Sequence, residues 1–170
     1  MFPDIVEMRW FWCGICAFLW AGCVAEPVST GIQPGDRIPA FKLEMNDGSS
    51  LSSDDLLGMP SLIVLFHTSC GDCQRTLPQV QLAYERFGDR VRFVAISRAE
   101  PAAEIRSWWK GNGITLPFSA QEDRQVYELF AASRIPRIYI ANSKGVVENC
   151  YDDNPCPDFE TLAAALNAVR

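Results

Sequence analysis

The sequence predicts an α/β layer fold, a mixed β-sheet flanked by helices with a β-hairpin extension on its N-terminal side. Three observations predict it. Residues 62–66 are five consecutive apolar residues, the length and composition of a strand buried on both faces. Helix-patterned segments alternate with further apolar runs at 91–97 and 137–141. Two turn clusters, Asn46-Asp47-Gly48 and Asn142-Ser143-Lys144-Gly145, fold the chain back on itself and give antiparallel neighbours at both ends. At 170 residues and 48% apolar content, the chain is one domain with ample material for a core.

The elements follow in order. Residues 37–45 read as a strand reached through Pro39, and 49–51 as its return. Ser52, Ser53, Asp54 and Asp55 carry cap chemistry for a helical turn ending near Gly58. After the central strand at 62–66, a helix runs from 71 to about 87. Its apolar face is assigned to Leu77, Val80, Leu82, Tyr84 and Phe87, and Pro78 removes one backbone donor from it. Gly88-Asp89 precedes the strand at 91–97. Pro101 suits the first turn of a helix ending at Gly111-Asn112-Gly113. Residues 116–119 are extended, 123–132 helical, 137–141 and 146–151 strands. The last helix starts at Asp158 or Thr161 and turns Leu162, Ala165, Leu166 and Val169 inward. Trp108 and Trp109 read as packing residues at a helix end.

The chemistry concentrates at the junction of the central strand and its helix, where Cys70-Gly71-Asp72-Cys73 stands. Backbone N–H groups at a helix start are unsatisfied and carry partial positive charge, which favours a thiolate. Cys70, at the exposed start, is the expected attacking thiolate; Cys73, one turn in, is the expected resolving thiol. Asp72 between them disfavours a neighbouring thiolate, while the helix start and Arg75 favour it, so Asp72 is the expected tuning residue. A plain disulfide and a metal knuckle are the other readings of the spacing. A zinc knuckle asks for a second CxxC or a His pair, and His67 is the one histidine of the chain. His67 either tunes the thiolate and shuttles a proton, or ends the strand with a polar group. The charge of −6 without a basic cluster gives nucleic-acid binding no electrostatic support.

The strand, the CxxC, Pro78 five residues after its second cysteine, and Ile135-Pro136 ahead of a strand together resemble the thioredoxin fold. Gly35-Asp36-x-x-Pro39-x-Phe41 before a hairpin resembles the TlpA/ResA-like branch of membrane-attached thiol–disulfide oxidoreductases. The resemblance covers residues 35–170. It implies a cis bond before Pro136, lying against the CxxC, with Ile135 offering its backbone to substrate. It implies no cofactor. It implies reduction of disulfides in exported proteins, with electrons from a membrane thiol donor. The chain departs from the pattern at Ser69, where thioredoxins commonly carry Trp, and at Val64 and Thr76, where related proteins carry a carboxylate. Asp72 is then the remaining candidate for taking the Cys73 proton. A peroxiredoxin-like thiol peroxidase is the alternative activity, but His67 occupies the position where that chemistry needs Thr or Ser. Copper delivery would need CxxxC and a distant downstream His. A fold retained purely for binding is the non-enzymatic alternative.

Residues 1–22 read as a signal peptide, with an apolar run at 10–21 of signal length rather than bilayer length. Asp4 and Glu7 precede the run, and a start at Met8 would leave Arg9 as a simple positive leader. Ala21-Gly22-Cys23 resembles the end of a lipoprotein signal, in which Cys23 takes the lipid; Trp20 departs from the usual Leu. Cleavage after Ala25 and an uncleaved anchor are the alternatives. Residues 23–34 then form a linker, and 35–170 the thioredoxin-like domain, placed on the periplasmic side of a bacterial envelope. Cys13 and Cys16 leave with the signal. Cys70, Cys73, Cys150 and Cys156 remain, an even number in an exported chain. Cys150 and Cys156 flank a turn-rich link and are expected to form a structural disulfide, with a second redox pair as the other reading.

Overall fold

The computed structural model describes residues 31–169, so the expected signal, the Cys23 lipid site and most of the linker lie outside the described residues. A short antiparallel pair, β1 (Lys42–Glu44) and β2 (Ser50–Ser52), leads into a single 3-10 turn at Ser53–Leu56. Then come β3 (Ser61–Phe66), α1 (Gly71–Phe87), β4 (Arg92–Ser97) and α2 (Ala102–Asn112). They are followed by β5 (Phe118–Ser119), α3 (Gln125–Phe130), β6 (Arg137–Ala141), β7 (Val147–Tyr151) and α4 (Phe159–Ala168). The main sheet has the order β5-β4-β3-β6-β7. β3 pairs parallel with β4 and antiparallel with β6, and every residue of β3 is buried. The unbroken apolar run therefore lies where both sheet faces are covered.

Both sheet edges are closed by the segment ahead of β3. On the β5 side, Asn46 N–H donates to Phe118 O (2.8 Å), its side-chain carbonyl accepts from Phe118 N–H (3.0 Å), and Ser119 Oγ donates to Glu44 O (2.7 Å). On the β7 side, Gly35 N–H donates to Val147 O and Val147 N–H to Asp36 O, at 2.8 and 2.9 Å, beside a bridge between Arg37 and Val146. This second contact explains why the expected strand over 37–45 is only three residues long. Its first part pairs with β7, and Pro39 has no N–H to extend a ladder. The helix expected over 123–132 is shorter for a related reason: Ala131 is extended (φ −151°) and forms a bridge with Gly31.

Helix α1 has the expected bounds and runs on through Pro78. Its buried face is Cys73, Thr76, Leu77, Val80, Gln81, Ala83 and Phe87. Leu82, assigned to that face from the sequence, is 46% exposed. Five residues on from Leu77, it is rotated about 140° around the axis, whereas Val80 and Gln81 follow the i+3 and i+4 spacing of one face. Trp109 is buried against Phe66 and Phe118, with ring centroids at 4.9 and 5.3 Å, and its indole N–H donates to Leu116 O (2.9 Å). Leu162, Ala165, Leu166 and Val169 face the core as expected.

Candidate active site

Strand β3 ends at Phe66, and residues 67–70 turn the chain into α1. Cys70 is the N-cap of that helix: its Sγ accepts from Cys73 N–H at 3.4 Å. The same sulfur lies 3.5 Å from the carbonyl of Ile135, to which its S–H donates. The Ile135–Pro136 bond is cis, and Pro136 leads directly into β6, the antiparallel neighbour of β3. The sheet register thus brings residues 65 positions apart into contact at one point. Cys70 is partly exposed and Cys73 fully buried, the arrangement expected from their places in the first turn.

Burial pushes the Cys73 thiol well above its ordinary pKa, with the nearby Cys70 sulfur adding to the rise. A hydrogen bond from the His67 backbone and the charge of Arg98 act in the opposite direction. Burial likewise raises Cys150, against an opposing pull from the Arg137 guanidinium.

Beneath the turn lies a carboxylate that the sequence reading missed. Glu100 is fully buried, just after β4. One of its oxygens accepts from Thr68 N–H at 2.9 Å, and the other accepts from the Thr68 hydroxyl. Gln74 Nε2 donates to Thr68 O (2.7 Å), so the turn is held from both sides. His67 Nδ1 accepts from Ser69 N–H (3.2 Å) and faces Ser69 Oγ at 3.0 Å. Glu100 Oε2 is farther from that nitrogen, at 3.7 Å, so Ser69 is the nearer neighbour of the ring. The signal that could have found Glu100 is topological: β3 and β4 are parallel neighbours, so the segments leaving their C-terminal ends share one rim.

Asp72 is turned outward. One carboxylate oxygen accepts from the Arg75 guanidinium and, at 3.8 Å, from the Cys156 thiol. Among the described residues no hydrogen bond joins it to Cys73. Cys70, Cys73, Cys150 and Cys156 are all free thiols, so the bond expected between Cys150 and Cys156 is not made in this structure. Cys150 lies in β7 opposite Tyr139, while Cys156 is drawn toward Asp72 and the Asp153 carbonyl (3.7 Å). The two side chains line one cavity of about 500 Å³ with Asn154, Asp158 and Thr161. Among the described residues, no group of three potential metal ligands converges, and no helix is long and apolar enough to cross a membrane.

A family model described as the AhpC/TSA family matches residues 34–150. The chain belongs to that family. It is 27% identical over 117 residues to the thiol-disulfide oxidoreductase ResA of Bacillus subtilis, covering 68% of this chain and 65% of that protein. The chain thus spans about 65% of the length of the first curated relatives it matches. Among solved structures, a thiol:disulfide interchange protein of Chlorobium tepidum superposes with a TM-score of 0.70 at 19% identity, over 81% of this chain and 97% of that one. An exposed lipoprotein thioredoxin of Streptococcus pneumoniae superposes with a TM-score of 0.66 at 16% identity, over 77% and 100%. The fold is thioredoxin-like, with the two-stranded β1–β2 sheet on its N-terminal side.

Proposed function

We propose that this chain is a thiol–disulfide oxidoreductase that reduces disulfides of exported proteins through Cys70 and Cys73. One observation carries the reading. The Cys70 sulfur is met from one side by the Cys73 N–H (3.4 Å) and from the other by the Ile135 carbonyl ahead of cis-Pro136 (3.5 Å). The expected nucleophile, the expected resolving thiol and the Ile135 backbone, which this reading gives to substrate, therefore converge. The relatives named thiol-disulfide oxidoreductase support the same activity.

In this reading the Cys70 thiolate attacks one sulfur of the substrate disulfide and expels the other as a thiolate. Cys73 then gives up its proton and attacks the Cys70 sulfur. The substrate leaves as a dithiol carrying two electrons, and a Cys70–Cys73 disulfide remains. An external thiol donor at the membrane restores the dithiol. Cys73 is buried and protonated, so resolution waits for its proton to leave. Asp72 is the residue to which this reading gives the tuning of the couple. The cell-envelope location and attachment through Cys23 belong to the proposal; the lipoprotein named among the structural neighbours supports them.

The test is insulin disulfide reduction by the full chain, with peroxide consumption measured on the same preparation. The expected result is insulin reduction that is lost in Cys70→Ser. In Cys73→Ala the expected result is a stable Cys70 mixed disulfide with substrate. Peroxide turnover without insulin reduction would replace this reading with a thiol peroxidase.

A further inference from the structure

We infer that Cys150 and Cys156 form a second, exchangeable dithiol–disulfide couple that passes an electron pair to and from Cys70 and Cys73. The inference rests on the redox activity proposed for the CxxC and adds an internal partner for it.

Four contacts hold Cys156 and the loop that carries it beside the CxxC helix and the segment around Pro136. The Cys156 thiol donates to Asp72, the residue between Cys70 and Cys73, at 3.8 Å across 84 positions of sequence. The loop between Cys150 and Cys156 is tied to the segment around Ile135–Pro136 by Arg134–Asp153 (3.2 Å) and Arg137–Asp152 (3.9 Å). The start of α4, just past Cys156, is tied to α1 by Phe159 N–H donating to Gln79 Oε1 (3.1 Å). Both thiols line the same cavity, so the space needed for one to approach the other is already open. A purely structural bridge would have no need of a thiol hydrogen-bonded to the carboxylate inside the motif.

The exchange balances within the chain. Starting from a Cys150–Cys156 disulfide, the Cys70 thiolate attacks the Cys156 sulfur; the Cys150–Cys156 bond breaks and Cys150 leaves as a thiolate. Cys73 loses its proton and attacks the Cys70 sulfur, which releases Cys156. The two protons lost by Cys70 and Cys73 are replaced by two taken up at Cys150 and Cys156. Two electrons have moved, leaving a Cys70–Cys73 disulfide and a Cys150/Cys156 dithiol whose Cys156 S–H rests on Asp72. The reverse steps run the pair the other way.

The test uses the full chain, reduced, desalted, exposed to oxidised glutathione, then acid-quenched, alkylated and mapped by mass spectrometry. A Cys73→Ala/Cys150→Ala variant is expected to close a Cys70–Cys156 bond in most molecules under conditions that close Cys70–Cys73 in the native chain. Both sulfurs remaining thiols or separate glutathione adducts would overturn the inference. A second arm does not depend on replacing buried Cys73: in Cys70→Ser, formation of the Cys150–Cys156 bond is expected to slow at least about tenfold. An unchanged rate would identify a bridge independent of the CxxC and also overturn the inference. Insulin reduction by the native chain separates the two readings. If insulin is reduced but no Cys70–Cys156 bond closes, only the internal exchange fails. If the bond closes without insulin reduction, only the external activity fails.

Discussion

Cys73 couples the stability of the fold to pH. Its thiol is buried and its pKa raised, so the folded protein keeps a proton that the unfolded chain gives up near the ordinary thiol value, about 8.5. The folded state then binds more protons than the unfolded one, and stability falls as pH rises. The contribution is fully present below pH of about 8 and is lost above it, at up to about 1.4 kcal/mol per pH unit. Urea unfolding between pH 7.5 and 10 should show this slope, and Cys73→Ala should lack its share; identical slopes in both proteins would refute it. Tyr139, Cys150 and Tyr151 are raised by burial too and give the background slope common to both. At this scale the chain was legible where chemistry is local. The order of exposure of Cys70 and Cys73 followed from one helical turn. Glu100 under the turn and Cys156 on Asp72 did not, because each meets its partner across 32 and 84 positions, respectively, and only the sheet and helix packing bring them together.

Helix α1 is held by a polar contact as well as by its apolar face. Gln81 is buried, and its side-chain carbonyl accepts from the backbone N–H groups of Thr115 and Leu116, at 2.9 and 3.0 Å. Its amide donates to Glu85 and to the Thr115 hydroxyl. Gln81 thereby satisfies the extended segment that brings the chain from α2 to β5. Gln81→Ala leaves two backbone donors without that acceptor and should cost about 2–4 kcal/mol. Leu82→Gln, one position on but exposed, should stay within about 0.5 kcal/mol. Urea midpoints of the two variants check both; comparable losses would show that the helix face has been misassigned. The bounds of α1 were legible because a buried strand, a polar turn and a helix start follow one another without ambiguity. The face was only partly so, since a Gln among apolar residues reads as surface until its partners are known.

For the whole molecule, the segment before β3 does what a bare sheet cannot do for itself. It bonds to both edge strands, to β5 through Asn46 and Glu44, and to the start of β7 through Gly35 and Asp36. Uncovered edges invite pairing with other chains. The hairpin was legible from Asn46-Asp47-Gly48, whereas its docking on β5 was not, because that pairing lies 72 positions away. The proposed membrane attachment is also tested at this scale. Cys23→Ala should move the protein from the membrane to the soluble fraction on cell fractionation, and continued membrane association would leave an uncleaved anchor as the explanation.

The described chain begins at Gly31, held in an antiparallel bridge to Ala131. Its φ is +116°, and a Cβ there would lie 2.3 Å from the Phe130 carbonyl oxygen, so the position admits only glycine without rearrangement. Ala131 stands four residues ahead of Ile135 on the segment leading to Pro136. A tether through Cys23, as proposed, would thus join the domain close to the Ile135–Pro136 segment, not at a remote corner. With Cys23 as the mooring, eight residue steps lead from it to Gly31, a span of at most about 28 Å when fully drawn out. The catalytic sulfur would then patrol a thin shell above the bilayer. Geography alone would select its clients: proteins emerging from, or themselves fixed to, the same membrane surface would be within range, and freely diffusing ones would rarely be.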